Sequence, residues 1–164
     1  MYKYIFLENN IIGDKMIRDI MTYKIISGNV DNSIKDISLL MKKNNIGFVP
    51  IKDKEDYIGV ITDRDICLSI PNINNVNDSI KSYVTNNIVY IDAVSDIDFA
   101  LKTMSTNKVK RLLVKEKDNI IGILSLSDIL NYTNNKNIMN TYKTIFYIHN
   151  NNKSEIAQID DFYL

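Results

Sequence analysis

Tryptophan is absent from this 164-residue chain, cysteine and histidine occur once each, as Cys67 and His149, and there are only five glycines and two prolines. One thiol excludes an internal disulfide and a cysteine-based zinc site, and one imidazole leaves little material for transition-metal ligation or histidine acid/base chemistry. An excess of charge of one sign is also missing, since 20 Lys and Arg balance 20 Asp and Glu. A protein that grips duplex nucleic acid displaces phosphate counterions with a basic excess, so nucleic acid is not an expected partner. No apolar run reaches the roughly 18 to 20 residues of a membrane span, and the N-terminal Met1-Tyr2-Lys3-Tyr4-Ile5-Phe6-Leu7-Glu8 is too short and too acidic at its end for a signal peptide. The expectation is a soluble, cytoplasmic globular protein with no membrane partner.

Isoleucine and asparagine are abundant, in runs such as Asn150-Asn151-Asn152, a bias we read as the codon usage of an AT-rich genome. Most of these asparagines fall between periodic apolar segments, where they suit turns and helix ends rather than an aggregation-prone tract.

An internal repeat organises the chain. Sliding the sequence on itself by 63 positions lays residues 16–67 on residues 79–130 without a gap, so that Thr22 meets Thr85, Ile34 meets Ile97, Met41 meets Met104 and Asn44 meets Asn107. The ends agree best, with Ile58-Gly59-Val60-Ile61-Thr62-Asp63-Arg64-Asp65-Ile66 on Ile121-Gly122-Ile123-Leu124-Ser125-Leu126-Ser127-Asp128-Ile129. Each repeat predicts a short strand (Lys24 to Ser27, Ile88 to Ile91), then a helix opened by Ser33 in one copy and by Ser95 or Asp96 in the other. The apolar faces of these helices carry Ile34, Ile37, Leu40 and Met41, or Ile97, Ala100, Leu101 and Met104. Hairpins follow, Gly47 to Lys52 with Tyr57 to Ile61 and Lys110 to Lys115 with Ile120 to Leu124. A second helix starts at Thr62 or Ser125 and turns Ile66, or Ile129 and Leu130, inward. The expected class is α+β, two β-α-β-β-α repeats packed as a pseudo-twofold tandem pair, because a unit of about 60 residues is marginal alone. The boundaries read as an N-terminal extension (1–13), repeat 1 (14–70), a connector (71–78), repeat 2 (79–134) and a C-terminal extension (135–164).

The strand-to-helix junctions hold the residues best suited to chemistry, Thr62-x-x-Asp65 and Ser125-x-x-Asp128, each preceded by a glycine. Two readings are open. A hydroxyl with an acid three residues on is a capping-box pattern worth about 1 kcal/mol to a helix. The same carboxylate can accept hydrogen bonds from two vicinal ribose hydroxyls, while the hydroxyl and the free N–H groups of a helix start suit a phosphate.

These residues, with Arg18-Asp19-Ile20-Met21-Thr22, Ile46-Gly47-Phe48-Val49-Pro50-Ile51 and Lys110-Arg111-Leu112-Leu113-Val114, resemble a tandem CBS-domain pair, or Bateman module, over roughly residues 14–133. The resemblance implies a regulatory module without catalysis that senses an adenosine-containing ligand (AMP, ADP, ATP, S-adenosylmethionine or a dinucleotide) in clefts between the repeats. It implies a ribose-holding role for Asp65 and Asp128, with Thr62 and Ser125 toward ribose and phosphate. Adenine would be held by Ile25, Ile26, Phe48 and Val49 in one repeat and by Ile88, Val89, Leu112 and Leu113 in the other. The family often places a basic residue where Arg111 stands, beside Lys110, and repeat 1 has Phe48 there, so one cleft suits a phosphate better than the other. Arg111 read simply as a surface strand residue needs no ligand. Leu113 replaces the usual proline, and Asp63 beside Thr62 adds a negative charge that Arg64 offsets.

The expected partners are an adenosine-containing small molecule, a second copy of the chain joined through its helices, and an effector protein. No cofactor or metal is expected; the nucleotide is a regulatory ligand. The alternative is a ligand-free protein-interaction module whose motifs only cap helices. An acid/base pair of Asp65 and Asp128 is disfavoured, since pseudosymmetry places them in separate clefts. Cys67 reads as a small buried apolar residue, and His149 as a surface or interface residue. The apolar stretch Ile138 to Ile148 and the ending Ile156 to Leu164 read as segments that pack along the module or on a partner subunit, or else as a partly ordered extension, and Tyr2, Tyr4, Ile5 and Phe6 as residues that add a strand or pair with that tail.

Overall fold

Two eleven-residue amphipathic helices and four strands rich in branched residues set the architecture of the computed structural model, which describes residues 16–132 and 136–147. Strands β1 (Gly28–Asn29), β2 (Phe48–Asp53) and β3 (Asp56–Thr62) form one sheet, and β4 (Tyr90–Asp92), β5 (Arg111–Glu116) and β6 (Asn119–Ser125) form another in the same order. In each sheet the first strand pairs in parallel with the second, which returns antiparallel. Helix α1 (Ile34–Asn44) or α3 (Ile97–Asn107) spans the parallel crossover, and α2 (Asp63–Ser69) or α4 (Leu126–Tyr132) follows the hairpin. The fold is α+β with two β-α-β-β-α repeats.

Local chemistry explains the element ends. Ser33 caps α1 by accepting the Asp36 N–H at 3.1 Å while the Asp36 carboxylate takes the Ser33 N–H at 2.9 Å, and Asp96 caps α3 by accepting the Phe99 N–H at 2.7 Å. A glycine-poor chain must close its helices and hairpins with other residues in the left-handed region. Asn45 and Lys108 do so after α1 and α3, and Lys54 and Lys117 in the two hairpin turns, with φ between 52° and 56°. These four positions again fall in pairs 63 apart.

The first strands begin later than the periodicity predicts. Residues 24–27 and 88–89 are not in strands, and pairing starts at Gly28 and Tyr90. The reason lies just upstream, where each lead-in first docks on the other repeat. Thr22 exchanges both backbone hydrogen bonds with Ile123 of β6 at 2.9 Å, and Thr85 does the same with Val60 of β3 at 2.9 Å. Ile17 and Met21, in the lead-in to the first strand of repeat 1, are buried in the core of repeat 2 with Leu101, Met104, Leu112 and Leu124. Ile80, with Val84 half-buried beside it, joins the core of repeat 1 with Ile37, Val49, Ile51 and Ile61. Full burial of one such side chain contributes about 1.5–3 kcal/mol, so neither repeat has a complete core without the other's arm.

The glycines of the two junctions make room for this exchange. A Cβ on Gly59 would collide with the Val84 side chain and lie 2.7 Å from the Thr85 carbonyl oxygen. On Gly122 it would lie 2.7 Å from the Met21 sulfur and 2.9 Å from the Thr22 oxygen. Arg18 pairs with Glu116 across the same seam, but both side chains are exposed and such a pair adds little.

Two expectations about the second helices are corrected. Cys67 and Leu130, equivalent positions, are both exposed rather than buried. In these seven-residue helices the inward stripe is Ile66 or Ile129, with Leu126 added in α4, and the next residue turns away by about 100°. The connector arches over the start of α1, where the carbonyls of Asp78 and Val76 accept the Ile34 and Lys35 N–H groups at 3.1 and 2.9 Å. A fifth helix, α5 (Lys136–Tyr147), lies along α3 and buries Ile138, Thr141 and Ile145, so this part of the C-terminal extension packs on the module. His149, the stretch from Ile156 to Leu164, and Tyr2, Tyr4, Ile5 and Phe6 lie outside the described residues.

The exchange makes a direct expectation. Gly122→Ala or Gly59→Ala should each lower unfolding stability by about 1–3 kcal/mol through overpacking, read by urea denaturation as one cooperative transition. A change of a few tenths of a kcal/mol, or separate transitions for the two halves, would show that the seam is not load-sharing.

Candidate functional site

The sheet register gathers the predicted polar residues at one end of each hairpin. Phe48 stands opposite Thr62 across β2 and β3, and Arg111 stands opposite Ser125 across β5 and β6. The two ends face each other, for the Arg111 guanidinium lies over the Phe48 ring at 5.7 Å from its centroid, within cation–π range. Positions 48 and 111 are repeat equivalents, so this contact marks where the pseudo-twofold relation brings the repeats together. Thr62 and Asp65 flank it on one side, Ser125 and Asp128 on the other, all four half-buried.

Both junctions form complete capping boxes. Asp65 Oδ2 accepts the Thr62 N–H at 2.8 Å and its hydroxyl at 2.7 Å, and the Thr62 Oγ1 accepts the Asp65 N–H at 3.2 Å. Ser125 and Asp128 repeat this at 2.8, 2.7 and 3.1 Å. One oxygen of each carboxylate is therefore turned to its own helix. The start of α2 is further occupied: the Asp63 N–H donates to the Gly47 oxygen at 3.2 Å and the Arg64 N–H to Asp63 Oδ1 at 2.7 Å. In α4 the Leu126 N–H donates to the Lys110 oxygen at 2.9 Å.

The expected adenine-holding residues divide into two groups. Ile25, Ile26, Phe48, Ile88 and Val89 are half-buried, and the Val89 oxygen accepts the Leu113 N–H at 3.1 Å, which sets it beside β5. Val49, Leu112 and Leu113 are at most 1% exposed, and Val49 and Leu112 belong to the two hydrophobic cores. Strand alternation turns Val49 and Leu112 inward and Leu113 to the opposite face of β5, where it is also covered, so none of the three side chains is open to a ligand, and Val49 and Leu112 are corrected from lining residues to core residues.

Charge at the meeting point is unequal. Burial, and then the neighbouring Arg111, hold the Lys110 ammonium below the ordinary lysine range; Asp63 acts against this and Arg64 with it. Lys110 of repeat 2 is therefore influenced by its neighbour Arg111 and by Asp63 and Arg64 of repeat 1. Periodicity could not foresee the Arg111–Phe48 contact, although the 63-residue offset alone makes the two positions equivalent. A separate cleft of about 610 Å³ opens between the hairpin turns, lined among others by Lys52, Tyr57, Tyr90, Lys115 and Lys117, none of them among the predicted site residues. Burial pushes the Tyr90 phenol above its usual range.

Comparison with known proteins agrees with this architecture. The CBS domain family profile matches residues 17–72 and 80–135, and the chain belongs to that family, as a tandem pair. Among curated proteins, the CBS domain-containing protein YhcV of Bacillus subtilis is 24% identical over 114 residues, 69% of this chain and 81% of that one. Among solved structures, the conserved CBS domain protein TA0289 of Thermoplasma acidophilum aligns with a TM-score of 0.71 at 20% identity, covering 79% of this chain and 75% of that one. The CBS domain pair of protein MJ0100, described in complex with 5-methylthioadenosine and S-adenosyl-L-methionine, aligns with a TM-score of 0.65 at 22% identity over 73% of this chain and 96% of that one. No helix among the described residues is long and apolar enough to cross a membrane.

The electrostatic coupling is open to measurement. Arg111→Leu should raise the Lys110 pKa while burial still keeps it below the ordinary lysine value, followed by NMR of the side-chain amine. An unmoved titration would mean that the two cations do not share the cleft.

Proposed function

We propose that the protein is a non-catalytic sensor that binds an adenosine-containing compound between its repeats and passes the state of occupancy to an effector protein. The observation that carries this reading is the convergence at one seam of two hydroxyl–carboxylate pairs, an aromatic ring and a basic cluster, contributed by both repeats. Each carboxylate keeps an oxygen beyond the one that caps its helix, and a ribose presents two adjacent hydroxyls that such a group can accept. The half-buried Ile25, Ile26 and Phe48, or Ile88 and Val89, supply apolar contact for a purine. The likeness to the methylthioadenosine- and S-adenosylmethionine-bound pair of MJ0100 supports the ligand class, with AMP, ADP, ATP and dinucleotides as the other members to test. Leu39 and Leu68 on the helices of repeat 1, and Phe99 and Leu130 on those of repeat 2, are exposed, which supports a homodimer formed through the helices. Neither an enzyme cofactor nor a resident metal enters this reading.

A second reading has its own observation. Ser33 and Asp36 form the same box at the start of α1, so the motif can serve purely as a cap and the module could work through protein contacts alone.

Thermal melts against the adenosine panel separate the two. Occupancy at about 100 times Kd adds about 2.7 kcal/mol and should raise the melting midpoint by roughly 5–10 °C in a protein of this size. Asp128→Asn, which keeps an acceptor for the Ser125 N–H, should weaken binding about tenfold or more while changing the unliganded melting midpoint little. A flat panel would favour the interaction module, and normal binding by both Asp128→Asn and Asp65→Asn would remove the carboxylates from the site.

A further inference from the structure

The strands that carry the seam lead to a second meeting of the repeats. β2 and β5 start at Phe48 and Arg111 and run about 15–20 Å to the two hairpin turns. There the cleft of about 610 Å³ opens, a volume suited to a small molecule. The repeats bring matched positions to it, Lys52 with Lys115, Glu55 with Asp118, Asp56 with Asn119 and Tyr57 with Ile120, each pair 63 apart. Tyr90 and Lys117 line it from repeat 2 alone, and the residue equivalent to Tyr90 is Ser27.

The charges of this cleft are balanced and unspent. The ammonium groups of Lys52, Lys115 and Lys117 stand with the carboxylates of Glu55, Asp56 and Asp118. Among the described residues none of these six forms a salt bridge, and neither the Tyr57 nor the Tyr90 phenol has a hydrogen-bond partner. Of the flanking charges, Asp53 and Lys54 offset one another, Glu116 is paired with Arg18, and the Asp92 carboxylate accepts the Val94 N–H at 3.2 Å, outside the cleft. The two signs are also set apart: two of the three cations stand on the repeat 2 hairpin, and two adjacent acids, Glu55 and Asp56, in the turn of repeat 1. An anion entering here meets as many carboxylates as ammonium groups, and a cation fares no better. Only a molecule bearing both charges is attracted at both ends. The Lys52 ammonium already lies over the Tyr57 ring, 4.7 Å from its centroid, so an ammonium is at home on an aromatic face of this cleft. Tyr90, 39% exposed, offers a second ring.

We infer that the hairpin-end cleft is a second ligand site, separate from the seam of the hydroxyl–carboxylate pairs, and that it takes a zwitterion, a free amino acid with an aromatic or large apolar side chain. Its carboxylate goes to Lys115 and Lys117, its ammonium to Glu55 and Asp56, and its side chain to Tyr90 and Ile120. The site stands whether or not the seam binds adenosine.

Amide NMR titrations of the full chain test this with L-phenylalanine and L-methionine, and with phenylpropionate and phenylethylamine, which lack the ammonium and the carboxylate of phenylalanine. The expected result is saturable shifts at Tyr57, Tyr90, Lys115 and Asn119, none at Thr62 or Ser125, and phenylalanine binding about fivefold tighter than either singly charged analogue, the size of one exposed ion pair. Lys115→Gln should weaken phenylalanine about fivefold and leave phenylethylamine unchanged, and Glu55→Gln should weaken phenylalanine and spare phenylpropionate. Both side chains are exposed, so neither change threatens the fold. Tyr90→Ser, which places the repeat 1 residue on β4, should weaken phenylalanine and both analogues. Absence of saturable shifts with both amino acids, an analogue that binds as tightly as phenylalanine, or shifts confined to Thr62 and Ser125 overturns the inference. Phenylalanine binding retained by Asp65→Asn and Asp128→Asn upholds the separation of the two sites, and its loss ends it.

Discussion

Everything in this molecule depends on the exchange of arms between its two repeats. The lead-in to each repeat's first strand completes the other's core and adds two backbone hydrogen bonds to the other's hairpin, at Thr22 with Ile123 and at Thr85 with Val60. The symmetry of the exchange is that of the sequence: Ile17 and Ile80, Met21 and Val84, Gly59 and Gly122 are all 63 apart. A glycine at each junction is therefore a packing requirement before it is a motif. Small units that bury too little surface alone gain a joint core this way, and the polar junctions are brought face to face as a result.

At that seam the sequence symmetry is broken where it matters. A true dimer would set like against like on its axis, and two arginines or two phenylalanines would meet. Instead Arg111 meets the face of Phe48, and Asp63 lies within the field of Lys110. Duplication followed by divergence gives one chain two different ends at one cleft. The caps add a second economy, because Asp65 and Asp128 each spend one oxygen on a helix start. A carboxylate fixed by its own backbone is pre-oriented and keeps little rotamer freedom.

Much of the fold was legible because its signals are local or repeated. The helical spacing of Ile34, Ile37 and Met41, the Ser33 cap and the alternation in the hairpins all rest on neighbours in sequence, and duplication supplied each signal twice. The first strands were displaced because pairing with the distant repeat takes the backbone before pairing within the repeat can begin. Cys67 and Leu130 were misplaced because a seven-residue helix shows too few turns to define its buried stripe. At the site, the register sets Phe48 opposite Thr62 and Arg111 opposite Ser125 and brings the two pairs, assigned by the sequence to separate clefts, to one seam, while Val49 and Leu112 face the cores and Leu113 is buried on the other face of its strand. Alternation tells which residues share a face of a strand, but not which face meets a core and which meets the other repeat. Contacts such as Arg111 on Phe48 depend on how two sheets approach, and no local pattern encodes that.

The central claim is that the exchanged arms make the two repeats one cooperative body. Native-state hydrogen exchange at the amides of Thr22, Val60, Thr85 and Ile123 tests it most directly. The account predicts that all four exchange only with global unfolding, at the free energy of the most protected core amides, and respond together to a bound ligand. Exchange of either pair at the rate of an open loop, with the two cores remaining protected, would contradict it.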